Sequence, residues 1–188
     1  MDLITISEII GAKMHSGVGA EETSLVHGHY DIECRDSEGN LLWSDGFDNV
    51  VTISGKNELL VSGVYALTSY MGLISSISFS AVSGTDTMTS HPGWLEASST
   101  DAPGYGTTRP TVAWSATPTA AQLVSSAATY VASGASGTIE GAFIVTGTGA
   151  SATVGTTTGV LFSAGAMTTP QPVVNGNTVT MTYTLGLT

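Results

Sequence analysis

Asn177-Thr178-Val179-Thr180-Met181-Thr182-Tyr183-Thr184-Leu185-Gly186-Leu187 decides the fold. Thr178, Thr180, Thr182 and Thr184 alternate strictly with Val179, Met181, Tyr183, Leu185 and Leu187. A period of two places the sets on opposite faces of an extended strand. Thr, Val and Tyr favour the pleated state because branched or flat side chains pack well on it. Asn175-Gly176 supplies a turn just before, and Pro172-Val173-Val174 is a short candidate partner. The stretch reads as a central strand of a β-sandwich, its apolar face toward the core and its Thr face toward water or a neighbour.

Working back from there, Thr138–Thr146 is a second strong strand. Simple alternation groups Ile139, Gly141, Phe143 and Val145 on one face, with Glu140, Ala142 and Ile144 on the other. Val160-Leu161-Phe162, within Gly159–Ser163, is a short buried run. Residues 120–133 allow a helix through their alanines or a strand through alternation; Thr129, Tyr130 and Val131 tip Leu123–Val131 toward strand. Thr111–Ser115 is a strand candidate with Val112 and Trp114 on one face. Ser69–Phe79 is β-rich, with Tyr70, Leu73, Ile77 and Phe79 apolar and Gly72 interrupting.

Nearer the start, Tyr30, Ile32 and Cys34 share one face of a strand that begins at Val26. His27, His29, Asp31, Glu33 and Arg35 share the other. Ser37-Glu38-Gly39-Asn40 has turn composition and Leu41–Asp45 returns, giving a hairpin. Val50-Val51-Thr52 is another extended piece. Ser54–Val61 reads as one or two helical turns, capped by Thr52 or Ser54, with Leu59 and Leu60 inward. Residues 81–110 shift to Ser, Thr, Gly, Pro and Asp, a long loop pinned by Trp94-Leu95.

About seven to nine short strands between Gly- and Ser-rich turns define an all-β, antiparallel, jelly-roll-like sandwich with one short helix. It occupies residues 26–188. Residues 1–25 form an N-terminal arm in which Leu3–Lys13 can be a helix, with Ile6, Ile9 and Ile10 on one side, or a strand.

With 188 residues, the chain can bury about 70% of its unfolded surface without staples. Cys34 is its one cysteine, which excludes an intramolecular disulfide and fits synthesis in a reducing cytoplasm. Met1-Asp2-Leu3-Ile4-Thr5 carries no basic region before its apolar residues and does not read as a signal peptide. No run approaches about eighteen apolar residues, so no membrane helix is expected. A net charge of −11 argues against nucleic acid, whose phosphates it repels. Eleven of the fifteen acids lie in the first sixty residues, whereas after Arg109 the only charged side chain is Glu140. A tail that neutral suits assembly into a larger body, or simply a hydroxyl-rich surface.

Residues with chemical potential are sparse. His27 and His29 project together on a strand, with Asp31 continuing that face, the beginning of a zinc site or a polar outer face. His91 with Asp86, Glu96 or Asp101 can be assembled into an acid–base pair on the long loop. Asp31, Glu33, Asp36, Glu38, Asp45 and Asp48 are dense but lack the calcium-loop pattern. No Gly-x-Ser-x-Gly elbow occurs, and Gly147-Thr148-Gly149-Ala150 lacks the glycine, lysine and helix of a phosphate loop. Cys34 is expected to be a small buried hydrophobe, and Trp43, Trp94 and Trp114 core anchors. Arg109 has a loop acid or a neighbouring subunit as its expected partner. No catalytic, cofactor-binding or metal residue is assigned.

Several motifs together carry a resemblance. Cys34-Arg35-Asp36-Ser37-Glu38-Gly39-Asn40-Leu41-Leu42-Trp43, Asp48-Asn49-Val50-Val51-Thr52 and Gly55-Lys56-Asn57 are the first. Thr87-Met88-Thr89-Ser90-His91-Pro92-Gly93-Trp94-Leu95-Glu96, preceded by Asp86, Thr108-Arg109-Pro110, Gly141-Ala142-Phe143, Gly159–Gly165 and Gly176–Leu185 follow. From about residue 27 onward the chain resembles a family of tailed-bacteriophage virion structural proteins. The resemblance implies a non-enzymatic capsid cement or decoration protein on the outer capsid surface. It would be made in the host cytoplasm, bind the major capsid protein, form a homo-oligomer, and need no cofactor, membrane or nucleic acid. A tail or fibre component and a carbohydrate hydrolase using Asp86 and Asp101 are the rival expectations.

Overall fold

The computed structural model describes residues 26–55, 63–64, 66–115 and 122–187. The expected N-terminal arm and most of the helical segment after Thr52, with Leu59 and Leu60, lie outside them.

Among the described residues, ten strands form two antiparallel sheets that face one another. In the first, β2 (Leu41–Asp48), β1 (Val26–Arg35) and β10 (Thr178–Leu187) lie side by side. Beyond β10 come β6 (Gln122–Val124) and β7 (Ala128–Val131), each pairing a different part of it. The second sheet runs β3 (Val50–Val51), β9 (Val160–Val173), β8 (Gly137–Thr146), β4 (Ser69–Ser75), β5 (Leu95–Glu96). The first strand thus lies beside the last, and β3 beside β9, so both ends of the fold pass together from one sheet to the other.

β10 is central, as its alternation requires. Val179, Met181, Tyr183 and Leu185 are buried, while the threonines between them are only half-covered. Tyr30, Ile32 and Cys34 of β1 point the same way, and all three are buried. From the second sheet, Met71, Leu73, Ala142, Ile144 and Phe162 meet them in one core. The Tyr30 and Tyr183 rings lie 4.8 Å apart, and the Tyr30 hydroxyl joins Ser163 Oγ across the sheets at 2.8 Å. Burial away from water pushes both phenols well above their ordinary pKa. The same desolvation raises the Cys34 thiol.

Local chemistry explains the joints. In the β1–β2 turn, Asp36 Oδ1 accepts the backbone N–H groups of Glu38 and Asn40, each at 2.9 Å, and Oδ2 accepts Asn40 Nδ2 at 3.0 Å. These bonds, that from the Asn40 side chain first, hold the Asp36 carboxyl below the usual aspartate range. Thr52 caps the helical turn at 53–55 by accepting the Gly55 N–H, while its own hydroxyl donates to Leu161 O.

Five expectations change. Pro172 and Val173 pair with Thr138 and Gly137 of β8, not with β10. The turn at Asn175-Gly176 therefore joins the two sheets rather than closing a hairpin, and Gly176 (φ +88°) takes the left-handed position that turn needs. In β8, the ladder shifts at Glu140, which opposes no residue on either neighbour. That bulge resets the period, so Ile139 joins Ala142 and Ile144 in the inter-sheet core while Phe143 and Val145 point away. β4 stops at Ser75, leaving Ile77 41% exposed. Residues 111–115 make only single bridges, Thr111 to Tyr70 and Trp114 to Ser125. Leu123–Val131 breaks at Ser125, whose hydroxyl accepts the Tyr183 N–H and so keeps contact with β10 across the gap.

Candidate functional site

The second sheet is buried on both faces, because the long loop covers its outer side. Ile74, Phe143, Val145, Leu161 and Ala164 form a second core there with Met88 and Trp94 of the loop. Trp94 is 1% exposed; its indole N–H donates to Asp86 Oδ2 at 2.9 Å, and the same oxygen accepts the Ser83 N–H. Asp86 thereby fastens the loop. His91 stacks on Trp94 with centroids 3.9 Å apart, and its Nδ1 donates to Trp94 O at 2.9 Å.

Trp94 leads into β5, which docks on β4 through Ile74–Glu96 and Ser75–Leu95 pairs. Strand alternation then turns Leu95 outward and Glu96 inward. Arg109 meets Glu96 in a two-pronged ion pair, Nε to Oε1 at 2.8 Å and Nη2 to Oε2 at 2.7 Å. The remaining guanidinium hydrogens go to Ser151 O, Thr156 Oγ1 and Thr156 O. All five donors of this wholly buried side chain are therefore used. The guanidinium lies 5.3 Å from the centroid of Phe143, within cation–π range. Glu96 also accepts the Tyr105 hydroxyl at 2.8 Å and the Gly155 N–H at 2.7 Å. Burial first, and then the Glu96 charge, raises the Tyr105 phenol well above its ordinary pKa. The pair ties residues 95–109 to residues 151–157, which also meet through Arg109 N to Ala152 O and Val154 N to Thr107 O.

A cleft of about 520 Å³ opens above this pair. Ser98, Ser99, Thr100, Asp101 and Thr107 line one side, and Thr153 to Thr157 the other; His91 and Leu95 also line it. Of the loop residues singled out from sequence, His91, Glu96 and Asp101 come together here. Asp86 does not line the cleft, so the structure does not set Asp86 and Asp101 across a shared opening. Sequence reasoning also missed Tyr105, Gly155 and Thr156. The available signal was that Arg109 is the only base after Lys56 while the long loop holds a single Glu.

The outer face of the first sheet is a second candidate surface. His29 Nδ1 donates to Asp48 Oδ1 at 2.8 Å, and its Nε2 lies 3.6 Å from Asp31 Oδ1. Arg35 binds Glu33 at 2.9 Å and the Gly39 carbonyl at 3.1 Å. Among the described residues no group of three or more His, Cys, Asp or Glu side chains is placed to hold a metal ion. Register sets His29, Asp31, Glu33 and Arg35 beside Thr184, Thr182, Thr180 and Thr178. Val124, Thr129 and Val131 flank the far side of the threonines. A row of mixed charge, a hydroxyl row and a margin that holds two valines thus lie in order across one face, with Val124 41% and Val131 56% exposed. Trp43 and Trp114 are partly buried at the core's edge, Trp43 donating to Pro172 O at 3.1 Å.

Comparison with protein-family models, with curated proteins and with solved structures finds no match to this chain.

Proposed function

We propose that this chain is a non-enzymatic structural protein of a tailed-bacteriophage virion, a capsid cement or decoration protein that stabilises the head by bridging subunits of the major capsid protein. The observation that carries this reading is the contrast between the sheets. The second is covered on its outer side by its own loops, whereas the first presents an outer face of charged side chains, threonines and valines on which Val124 and Val131 stay exposed. Such a mixed face suits a wet, hydrogen-bonded contact, with its acids opposite basic patches. The ion pair with the greatest chemical potential has its hydrogen bonds spent on joining loops, which is a structural use. The motif resemblance from residue 27 onward points the same way, to a homo-oligomer on the outer capsid surface.

The test is stoichiometry in purified particles. Copies comparable in number to the major capsid protein support a cement role; copies numbering a few dozen or fewer would refute it and favour a tail or fibre component. That second reading is favoured by the cleft, a feature suited to receptor binding. Removal of residues 1–22 should weaken particle binding while leaving the sandwich folded.

A further inference from the structure

We propose that the cleft above the Glu96–Arg109 pair is a binding site for a neutral saccharide. This goes beyond the capsid reading and does not depend on it.

The floor of the cleft excludes an anionic ligand. Arg109 is 0% exposed and every guanidinium N–H is already engaged, so among the described residues that line the cleft no arginine or lysine is free to receive a carboxylate, sulfate or phosphate. The net charge of −11 adds a long-range repulsion of the same sign. The walls ask for hydrogen-bonding groups. Ser99, Thr107, Thr153 and Thr157 present hydroxyls that make no hydrogen bond to a described residue. Each can donate and accept. Asp101 adds an acceptor, since only its Oδ2 is engaged, by Ser98 and Thr100 at 3.4 Å each. His91 adds another: donation from Nδ1 to Trp94 O leaves Nε2 of the neutral ring as an acceptor.

A ligand that satisfies this set must bring many donors and acceptors and no charge, which describes a sugar. The cleft also offers apolar surface for a pyranose ring. His91 is held flat against buried Trp94, with an interplanar angle of 19°, and Leu95 is 37% exposed. Carbohydrate C–H faces pack on such planar rings while their hydroxyls bond at the rim. The volume of about 520 Å³ is that of a small-molecule cleft and accommodates a short oligosaccharide. Two loops joined by a buried ion pair hold the walls in place, so little ordering opposes binding.

The experiment is an amide chemical-shift titration of the full chain with maltotriose, cellotriose, chitotriose and mannotriose, and with trigalacturonate as the anionic control. Each is taken to about 10 mM, where even a Kd near 1 mM leaves the site mostly filled. At least one neutral sugar should move the amides of His91, Asp101, Thr107 and Thr157, while trigalacturonate moves none. The Thr107→Val/Thr157→Val double variant and Asp101→Asn should each weaken binding at least tenfold with thermal stability unchanged. No movement of cleft amides with any neutral sugar overturns the proposal, as does equal binding of trigalacturonate or wild-type affinity in the double variant. Chromatography of the recovered sugar separates the two readings: shortened products would overturn the non-enzymatic function proposed above and leave saccharide binding supported.

Discussion

Replacing Arg109 by Met removes the guanidinium but keeps an apolar stem over Phe143. Glu96, 8% exposed, then retains only the Tyr105 hydroxyl and the Gly155 N–H against its charge. Leaving one member of a buried ion pair unpaired costs roughly 3–5 kcal/mol. Ser151 O, Thr156 O and Thr156 Oγ1 lose their donor as well, so the loss should reach at least the middle of that range. Against a typical total of about 5–15 kcal/mol, this is a large fraction of the fold's stability. With an m-value of about 2 kcal/mol/M, a loss of about 4 kcal/mol lowers the urea midpoint by about 2 M. The Glu96→Gln/Arg109→Met double variant should recover at least half of the loss. Its neutral amide can accept from Gly155 N–H and donate to the Tyr105 oxygen, and no buried charge remains. Circular dichroism through urea titration reads both variants. A single variant within about 1 kcal/mol of wild type, or a double variant less stable than the single one, would refute the structural role assigned to this pair.

Three further outcomes are expected. Gly72→Ala should destabilise by about 1–3 kcal/mol, because the added methyl meets the Phe143 ring; a urea midpoint like that of wild type would show that the ring has room to move. Base should unfold the protein: Tyr30, Tyr105, Tyr130 and Tyr183 have phenols raised by burial, so above about pH 10 the unfolded chain sheds protons that the folded one keeps. Stability then falls by up to about 1.4 kcal/mol per pH unit for each phenol, and the part of the tyrosinate absorbance that these four of the six tyrosines supply should rise together with unfolding rather than before it. Asp36 has a folded pKa below its unfolded one, so its contribution is present above the ordinary aspartate range and disappears as pH falls through the depressed value. A side-chain NMR titration should place its midpoint below that range, and an ordinary midpoint would contradict the turn geometry.

Both faces of β1 and β10 were legible because each is half-buried, and half-burial writes itself as alternation. β8 was legible as a strand but not in its facing. Its apolar residues are buried on both sides, so alternation carried no facing, and Glu140 read as an ordinary outward residue rather than as the bulge that resets the period. The second core was hidden for the same reason: Trp94 was readable as an anchor, but nothing local said that it anchors on the outer side of a sheet. Arg109 was recognisable as needing an acid. Its choice of Glu96 over Asp86 or Asp101 depends on β5 docking beside β4, a long-range pairing that no local pattern encodes. Asp86, an attractive catalytic candidate on paper, is held by an indole N–H a few residues away.

The central place of β10 has a consequence for biosynthesis. β1 is made among the earliest of the described strands, yet its registered neighbour, Tyr183 opposite Tyr30, leaves the ribosome some 150 residues later. Until then the nascent β1–β2 hairpin has a bare flank with Tyr30, Ile32 and Cys34 unshielded. Closure of this sheet is therefore a late, slow event, and a polypeptide that stops short of residue 178 has nothing to fill the gap. Prematurely terminated copies should stay sticky and be cleared, so only molecules whose translation has passed that point reach the closed fold.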